Sequence, residues 1–248
     1  MNAPSRQILR LTGADAHDFL QGLITNDIAG IKGGLVYAAM LTPQGKYLAD
    51  FFLKADGDAI LLDVDVALAD MLVQRLSMYK LRADVQIERT DLHLHRGLHE
   101  APADGAADPR DPALGWRAYR ETPQDDDAVD WPALYVTQMI PNSGTELTTD
   151  SFILEMGFER IHGVDFRKGC YVGQEVTARM KHKTELRKGL ARVSVIGDAP
   201  AGTPITTADG KAAGTLLTRS GDEALAYLRF DRATAAMDAN GATVTRLA

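Results

Sequence analysis

The chain of 248 residues can bury a large core and has room for one to three compact units. Its composition is that of an ordinary globular protein, and its formal net charge of -7 argues against nucleic-acid binding through a broadly basic surface. A single cysteine excludes an intramolecular disulfide framework and favours a reducing compartment. Residues 1–10 lack the apolar core of a signal peptide, and no apolar run approaches the roughly 18 residues that span a bilayer. The sequence therefore predicts a cytoplasmic protein with no membrane contact and no direct nucleic-acid partner.

Strands and helices alternate in the first part of the chain. Thr12 and Asp15 have capping-box spacing, which predicts a helix directly after them. Asp65 is placed to cap a second helix that has an apolar stripe. The turn Asp56-Gly57-Asp58 predicts a hairpin between the strands on either side of it. The predicted strands are residues 7–11, 36–41, 47–55, 59–64, 83–88 and 92–98.

Composition changes twice further along the chain. Residues 99–130 are rich in Pro, Gly, Ala and Asp, which predicts an irregular connection broken by one ordered piece at residues 114–117. Beyond residue 186, short β-rich runs alternate with Asp-Gly, Ser-Gly and Asn-Gly turns, a pattern typical of a small sandwich or barrel. The strands of this tail are predicted at residues 191–196, 211–218, 224–230 and 243–247.

The segment 168–175, Lys-Gly-Cys-Tyr-Val-Gly-Gln-Glu, contains Cys170, the only cysteine of the sequence. Two glycines bracket the cysteine and permit a sharp turn or a close backbone approach. Two cations precede it, and a helix predicted over residues 174–180 places it just before a helix N-terminus; both features favour the reactive thiolate. The pattern predicts a shaped, electropositive loop that presents one thiol. The flanking residues are Arg167, Lys168, Gly169 and Gly173.

Two alternatives stand beside this interpretation. A lone cysteine is also typical of a buried, inert position. The cations that follow the segment form either a solvated helix face or a local site for a carboxylate, a phosphate or an acidic partner surface. These cations are Arg179, Lys181, His182, Lys183, Arg187 and Lys188.

The rest of the sequence limits the chemistry further. It contains no Gly-x-Ser-x-Gly, P-loop, His-Glu-x-x-His or dinucleotide fingerprint. An iron–sulfur cluster typically takes four protein ligands, so the lone cysteine would share a cluster with another chain or with small thiols. Residue chemistry thus predicts a thiol loop in a multi-domain protein, followed by cations that form either a solvated helix face or a local anion site.

The cysteine segment resembles the signature of the YgfZ family, folate-binding relatives of the glycine-cleavage T protein, an aminomethyltransferase (GcvT). The octapeptide is highly specific, and weaker blocks occur along most of the chain in the order that the family has. The segments that carry the resemblance are residues 11–15, 19–22, 25–27, 41–46, 50–51, 108–110, 114–117, 161–164 and 168–175.

The resemblance implies a GcvT/YgfZ-like α+β fold: a multi-domain ring with two interleaved α+β modules and a small C-terminal β-barrel around a folate-binding opening. The folate-binding region is then residues 1–185, with one module at about 1–42 plus 134–185 and the other at about 43–133. The barrel is residues 186–248, which agrees with the boundary that the residue pattern places near 186.

The resemblance also implies a role in assembly or repair of iron–sulfur proteins, including enzymes that modify tRNA. That role uses tetrahydrofolate and depends on Cys170. The thiol is a candidate for a transient cluster ligand or for an acceptor of a one-carbon unit or of sulfur, and no stable metal site is expected. The expected partners are iron–sulfur assembly or client proteins and the folate. The implied catalytic residues are Cys170, Lys168 and Asp50, and the implied cofactor-binding residues are Glu155, Asp50, Tyr171, Gln174 and Glu175.

The chain departs from the aminomethyltransferases at one acidic position. Their Gly-Gly-x-x-Asp-Asp pattern matches residues 45–50, where Ala49 replaces one Asp and Asp50 remains. Asp50 is a candidate for pterin contact or proton transfer, the alternative being a polar residue on the solvent face of a strand. Glu155 matches an acidic pterin-binding position, the alternative being an exposed helix or strand residue.

Three functions are therefore open. The first is an accessory factor for iron–sulfur clusters that acts through Cys170. The second is a folate-dependent one-carbon transferase, which the altered acidic pair disfavours. The third is a non-catalytic module whose loop docks a partner while folate is regulatory or absent. Whether the protein is an enzyme is open between them.

Overall fold

The computed structural model describes residues 6–125, 128–182 and 185–247, which form a mixed α+β fold. Lys183 of the predicted cation cluster lies outside these residues. Within them, no helix is long and apolar enough to cross a membrane. The helices are α1 (Ala16–Gln21), α2 (Val66–Lys80), α3 (Trp131–Thr137) and α4 (Gln174–His182). The strands are β1 (Arg6–Thr12), β2 (Val36–Leu41), β3 (Tyr47–Asp56), β4 (Ala59–Asp65), β5 (Gln86–Arg89), β6 (His93–Gly97), β7 (Ala106–Ala107), β8 (Trp116–Arg120), β9 (Lys188–Ile196), β10 (Pro204–Thr206), β11 (Ala212–Ser220), β12 (Glu223–Arg229), β13 (Met237–Ala239) and β14 (Ala242–Arg246).

The chain divides into two compact units. The first comprises residues 1–128 and 159–176, and the second comprises residues 129–158 and 177–248. The predicted module boundary after residue 42 falls between β2 and β3, which pair with each other in one sheet. The assignment of two interleaved modules with these boundaries stays a prediction.

A five-stranded antiparallel sheet organises the first unit, with strand order β2-β3-β4-β1-β5. Its hairpin β3–β4 confirms the pairing predicted from the Asp-Gly-Asp turn. Because successive side chains point to opposite faces of a strand, one face of the sheet is apolar and packs with α1 and α2 into a core. That core includes Leu9, Leu11, Leu20, Ala38, Phe51, Leu53, Leu62, Leu72 and Leu76.

The N-termini of α1 and α2 differ in how they are capped. Asp65 caps α2 as predicted, because its side chain accepts a hydrogen bond from the Ala67 N–H at 2.9 Å. The capping box predicted at Thr12 is wrong, since Asp15 is the N-cap of α1 and makes no side-chain cap bond. The Asp15 carboxylate instead accepts the N–H of Asp84 at 2.7 Å, which ties the start of α1 to the segment before β5.

Two short strands of a small sheet lie in the stretch that the sequence predicts to be irregular. Strand β8 pairs with β6 on one side and with the short β7 on the other. The strand predicted at residues 92–98 is confirmed by β6, whereas β7 and β8 were missed. β7 has only two residues, and β8 lies in a stretch whose Pro, Gly, Ala and Asp content is typical of irregular structure.

Six strands of the second unit close into a barrel, in the order β10-β11-β12-β9-β14-β13. Inward and outward side chains alternate along β9, as the period of two requires. The barrel confirms the β-rich tail predicted from the sequence, and together with the two sheets it confirms the α+β fold class. Its core includes Val193, Val195, Ile205, Leu216, Leu228 and Val244.

Candidate functional site

The segment around Cys170 is the first candidate site. Cys170 is exposed, whereas Lys168 and Tyr171 near it are buried. The exposure of the thiol overturns the alternative of a buried, inert cysteine. Gln174 begins α4 and Glu175 lies in its first turn, where a negative charge is favoured by the helix dipole.

Backbone carbonyls at the end of α1 hold this segment from one side. Lys168 Nζ donates to the carbonyl oxygens of Gln21 at 2.7 Å and Ile24 at 2.5 Å. The N–H of Val172 donates to the carbonyl of Gly22 at 3.3 Å. Gln21 is the last residue of α1, and carbonyls at a helix C-terminus lack intrahelical partners and form the negative end of the helix dipole, so an ammonium group suits that acceptor. Ile24 lies three residues further on, in an isolated bridge with Met40.

The turn between β2 and β3 holds the segment from the other side. Gly173 has a φ of +85°, and a Cβ there would lie 2.5 Å from the carbonyl oxygen of Thr42. Gly45 in the turn, with a φ of +74°, would place a Cβ 2.8 Å from the Cβ of Val176. Glycine at both positions therefore permits a backbone approach that a side chain would prevent.

Thr25 and Asn26 fix the chain that leads into the cysteine segment. Thr25 Oγ1 donates to the carbonyl of Gly163 at 2.7 Å. Asn26 Nδ2 donates to the carbonyls of His162 at 2.7 Å and Tyr37 at 2.9 Å. Several sequence blocks that carry the family resemblance thus meet around the cysteine.

The two cations that precede the thiol have different environments. Burial lowers the pKa of Lys168 to about 8, and the carboxylates of Asp27 and Asp165 oppose that shift. The Lys168 ammonium lies 5.0 Å from the centroid of the Tyr171 ring, a distance at which a cation and an aromatic face attract. Arg167 is exposed, with its Nε 3.9 Å from an Asp165 carboxylate oxygen. Lys168 therefore supports the segment from inside, and Arg167 lies at its surface.

Asp50 lies in β3, on the face of the sheet opposite the apolar core. The residue is 4% exposed and accepts hydrogen bonds from the hydroxyls of Tyr37 at 3.0 Å and Tyr47 at 2.6 Å. The alternative of a solvent-facing strand residue is therefore wrong. Burial and the neighbouring Asp50 charge raise the pKa of Tyr37 well above its ordinary value, so its hydroxyl remains a donor to the carboxylate.

The same face carries a buried ion network that the sequence analysis missed. Asp63 of β4 is fully buried and accepts from Arg6 at 2.6 Å and from Arg117 at 2.6 Å. Phe52 is the cross-strand neighbour of Asp63, and the guanidinium carbon of Arg117 lies 3.8 Å from its ring centroid. A signal was present, because Asp63 interrupts the apolar strand Ala-Ile-Leu-Leu-Asp-Val-Asp. The two arginines, however, lie 57 and 54 positions away in the chain.

Asp108 and Arg110 extend this network. Arg110 donates to both carboxylate oxygens of Asp108, at 3.0 Å and 2.8 Å, and Arg117 Nη1 lies 3.5 Å from one of them. Although burial raises the pKa of Asp108, the charges of Arg110 and Arg117 outweigh it and hold that pKa below its ordinary value. The Arg110 guanidinium also lies 5.5 Å from the Tyr37 ring centroid, which connects the ion network to the tyrosine that binds Asp50.

Glu155 lies in the second unit, whereas Asp50 and Cys170 lie in the first. The Glu155 carboxylate accepts a hydrogen bond from the Tyr227 hydroxyl at 2.6 Å, and its backbone carbonyl accepts the N–H of Leu190 at 2.7 Å. Burial and the Glu155 charge together raise the pKa of Tyr227. Glu155 is therefore tied to β9 and β12 of the barrel rather than being an exposed side chain without contacts.

The fold places the protein in a known class. The structure is similar to that of the glycine cleavage system aminomethyltransferase T from Bartonella henselae, with a TM-score of 0.76 and 12% identical residues. The similarity covers 98% of this chain and 82% of the Bartonella chain. The chain thus has the fold of the GcvT-like proteins. Residues 187–247 match the family model of the CAF17 C-terminal beta-barrel domain.

Curated relatives identify the family. The mouse (Mus musculus) mitochondrial iron-sulfur cluster assembly factor IBA57 is 32% identical, over 91% of this chain and 76% of its own length. The human protein of that name is 30% identical, over 90% of this chain and 75% of its own length. The chain belongs to the IBA57 family. A Mycosarcoma maydis homologue is 33% identical over 81% of this chain, which spans 57% of that relative.

These relatives correct the predicted cytoplasmic location. The mouse, human and Mycosarcoma proteins are mitochondrial, so the prediction of a cytoplasmic protein is wrong. It depended on the lone cysteine and on the absence of an apolar leader in residues 1–10. The absence of an apolar leader does not separate the cytoplasm from the mitochondrion, because mitochondrial transit peptides are amphipathic rather than apolar. A single cysteine does not separate the two compartments either.

Proposed function

We propose that the protein serves iron–sulfur cluster assembly or repair, with the Cys170 thiolate as a transient ligand of a cluster that passes to a client. The observation that carries this proposal is an exposed thiol on a segment held by backbone contacts, in a chain related to iron–sulfur cluster assembly factors. A cluster takes about four protein ligands, and the sequence has one cysteine. The other ligands therefore come from an assembly partner, a client or small thiols.

The finer parts of the proposal rest on the resemblance to the YgfZ family. The first of these parts is that the clients include tRNA-modifying enzymes, and the second is that the protein binds tetrahydrofolate. The Asp50 carboxylate is a suitable acceptor for the N–H groups of a pterin, and the hydroxyls of Tyr37 and Tyr47 that donate to it fix its orientation. Glu155 is the acidic candidate of the second unit. Tyr171, Gln174 and Glu175 support the loop.

Replacing Cys170 with Ser is expected to reduce cluster delivery at least about tenfold, because losing a ligand costs no less than losing a residue that orients one. Delivery is measured as the recovery of activity by an apo [4Fe–4S] enzyme mixed with a cluster-loaded assembly protein and this chain. The same variant is expected to fail to restore growth to a strain that lacks its own factor.

Lys32→Met is the control, because Lys32 is an exposed residue of the same unit that lies outside the cysteine segment, and it is expected to deliver clusters as the wild type does. The free energies of unfolding of both variants are expected to lie within about 0.5 kcal/mol of the wild-type value, as is usual for surface substitutions. Full delivery by a stably folded Cys170→Ser protein would remove the thiol from the proposal.

Replacing Asp50 with Asn is expected to weaken tetrahydrofolate binding roughly 10- to 100-fold, because a hydrogen bond to a charged group contributes about 1.5–3 kcal/mol. The amide keeps the size of the side chain, and a tyrosine hydroxyl can accept its N–H, so the variant is expected to fold. Calorimetric titration with tetrahydrofolate measures the affinity.

Asp58→Asn is the control for this titration, because Asp58 is an exposed carboxylate in the β3–β4 turn. It is expected to bind as the wild type does. Absence of binding by the wild-type chain would reject the folate part of the proposal and leave the role of Cys170 to be judged by delivery alone.

A further inference from the structure

Lys168 connects the cysteine segment to the end of α1. The residue is 6% exposed, and its Nζ donates to the carbonyls of Gln21 at 2.7 Å and Ile24 at 2.5 Å. An ammonium group has three donors, so two of them are committed to another part of the chain. A lysine that acted directly on the thiol would need its ammonium beside the sulfur atom. The contacts of Lys168 therefore indicate a different task.

The Lys168 charge is partly compensated where it lies. Uncompensated burial of a charge is costly, and buried charges are paired or hydrogen-bonded. The carboxylates of Asp27 and Asp165 act electrostatically on the ammonium and favour its charged form. The Tyr171 ring adds an aromatic face at 5.0 Å. These surroundings fix the ammonium in one place, and with it the backbone of residue 168.

Backbone contacts on both sides of Lys168 complete the attachment. The N–H of Asp165 donates to the carbonyl of Thr25 at 3.0 Å, and the N–H of Val172 donates to the carbonyl of Gly22 at 3.3 Å. Between these two contacts the chain is exposed at residues 169–170. The segment is thus held before and after the thiol and open at the thiol itself.

We infer that Lys168 is a positioning residue, which anchors residues 165–172 so that Cys170 faces outward in one orientation for cluster handover. The handover rests on the proposed function, whereas the anchoring is a property of the folded chain. The family resemblance implies that Lys168 is a catalytic residue, whereas its contacts favour support of Cys170.

Amide hydrogen exchange of the full chain tests the anchoring without any cluster. In Lys168→Met, exchange at the amides of Asp165 and Val172 is expected to accelerate about tenfold or more, while exchange in β1 and β3 stays unchanged. Lys168→Arg keeps the charge and the donors and is expected to restore most of the protection. The control is Lys32→Met, which removes an exposed lysine of the same unit and is expected to change neither set of amides.

Two exchange results would overturn the inference. Unchanged exchange at both amides in Lys168→Met would show that the lysine does not anchor the segment. Equal acceleration in β1 and β3 would show that it supports the whole unit rather than the segment.

Cluster delivery then tests the consequence for Cys170. Lys168→Met is expected to deliver clusters at least about fivefold more slowly, and Lys168→Arg is expected to recover most of the rate. Normal delivery by Lys168→Met despite accelerated exchange would overturn the positioning role. The proposed function would survive that result, because it is tested by the delivery rate of Cys170→Ser. Conversely, normal delivery by Cys170→Ser would reject the proposed function and leave the exchange result for Lys168 intact.

Discussion

Replacing Asp63 with Asn is expected to lower the midpoint of thermal unfolding by about 10 °C. Asp63 is fully buried and accepts from the guanidinium groups of Arg6 and Arg117. Removing one partner of a buried ion pair costs about 3–5 kcal/mol, because it leaves charge without compensation. In a chain of this size each kcal/mol lowers the midpoint by roughly 2–4 °C. Calorimetry of the wild type and the variant measures the difference.

Two further proteins make this prediction specific. Asp58→Asn removes an exposed carboxylate next to the same strand and is expected to unfold within about 0.5 kcal/mol of the wild type. The triple variant Arg6→Met, Asp63→Leu, Arg117→Met removes Asp63 and its two arginine partners together and leaves Asp108 paired with Arg110. Its unfolding midpoint is expected to lie nearer to that of the wild type than the midpoint of Asp63→Asn does. An unchanged midpoint in Asp63→Asn would mean that Asp63 does not compensate the two arginines.

The contribution of the same network to stability is expected to depend on pH. Burial alone would raise the pKa of Asp63, but the charges of Arg6 and Arg117 outweigh it and hold that pKa below its ordinary value. A carboxyl group with a lowered folded-state pKa contributes stability above its unfolded pKa of about 4, and this stability is lost as the pH falls towards the folded value. The free energy of unfolding, measured with urea, is therefore expected to fall below about pH 4 more steeply in the wild type than in the triple variant.

Local signals were sufficient for part of the fold. Alternation and an Asp-Gly-Asp turn predict the hairpin β3–β4, and Asp65 predicts the start of α2, because each signal lies within a few residues of the structure it specifies. Strand β8 gives no such signal. Its five residues lie in a stretch rich in Pro and Gly, and its pairing with β6 bridges about 25 positions of chain, which no local pattern records.

The candidate site shows the same limit. The sequence identifies the segment and its thiol, since cysteine, glycine and lysine are distinct residue types with distinct chemistry. It does not identify what holds Lys168, because the acceptors are the backbone carbonyls of Gln21 and Ile24, and every residue has a carbonyl. Likewise Asp63 can be seen as an acidic residue in an apolar strand, but its two arginines are brought to it by tertiary packing.

Replacing Gly173 with Ala is expected to lower the free energy of unfolding by about 2 kcal/mol or more and to reduce cluster delivery. The residue has a φ of +85°, a conformation that costs a residue with a Cβ about 1–2 kcal/mol. The new Cβ would also lie 2.5 Å from the carbonyl oxygen of Thr42, so the backbone must shift. Because that shift moves the segment that bears Cys170, delivery should fall even where the variant is fully folded. Urea unfolding and the delivery assay measure the two effects.

Gly169→Ala is the matched control within the same octapeptide. A Cβ at Gly169 would meet no atom within 4 Å, so its stability is expected to stay unchanged or to rise by up to about 1 kcal/mol, because alanine restricts the unfolded chain. Equal destabilisation of the two variants would contradict this account. The two glycines look alike in the sequence, but an internal contact requires only the second of them. The helix-side end of the octapeptide is therefore built into the fold, whereas Gly169 and Cys170 are exposed, as the proposed handover requires.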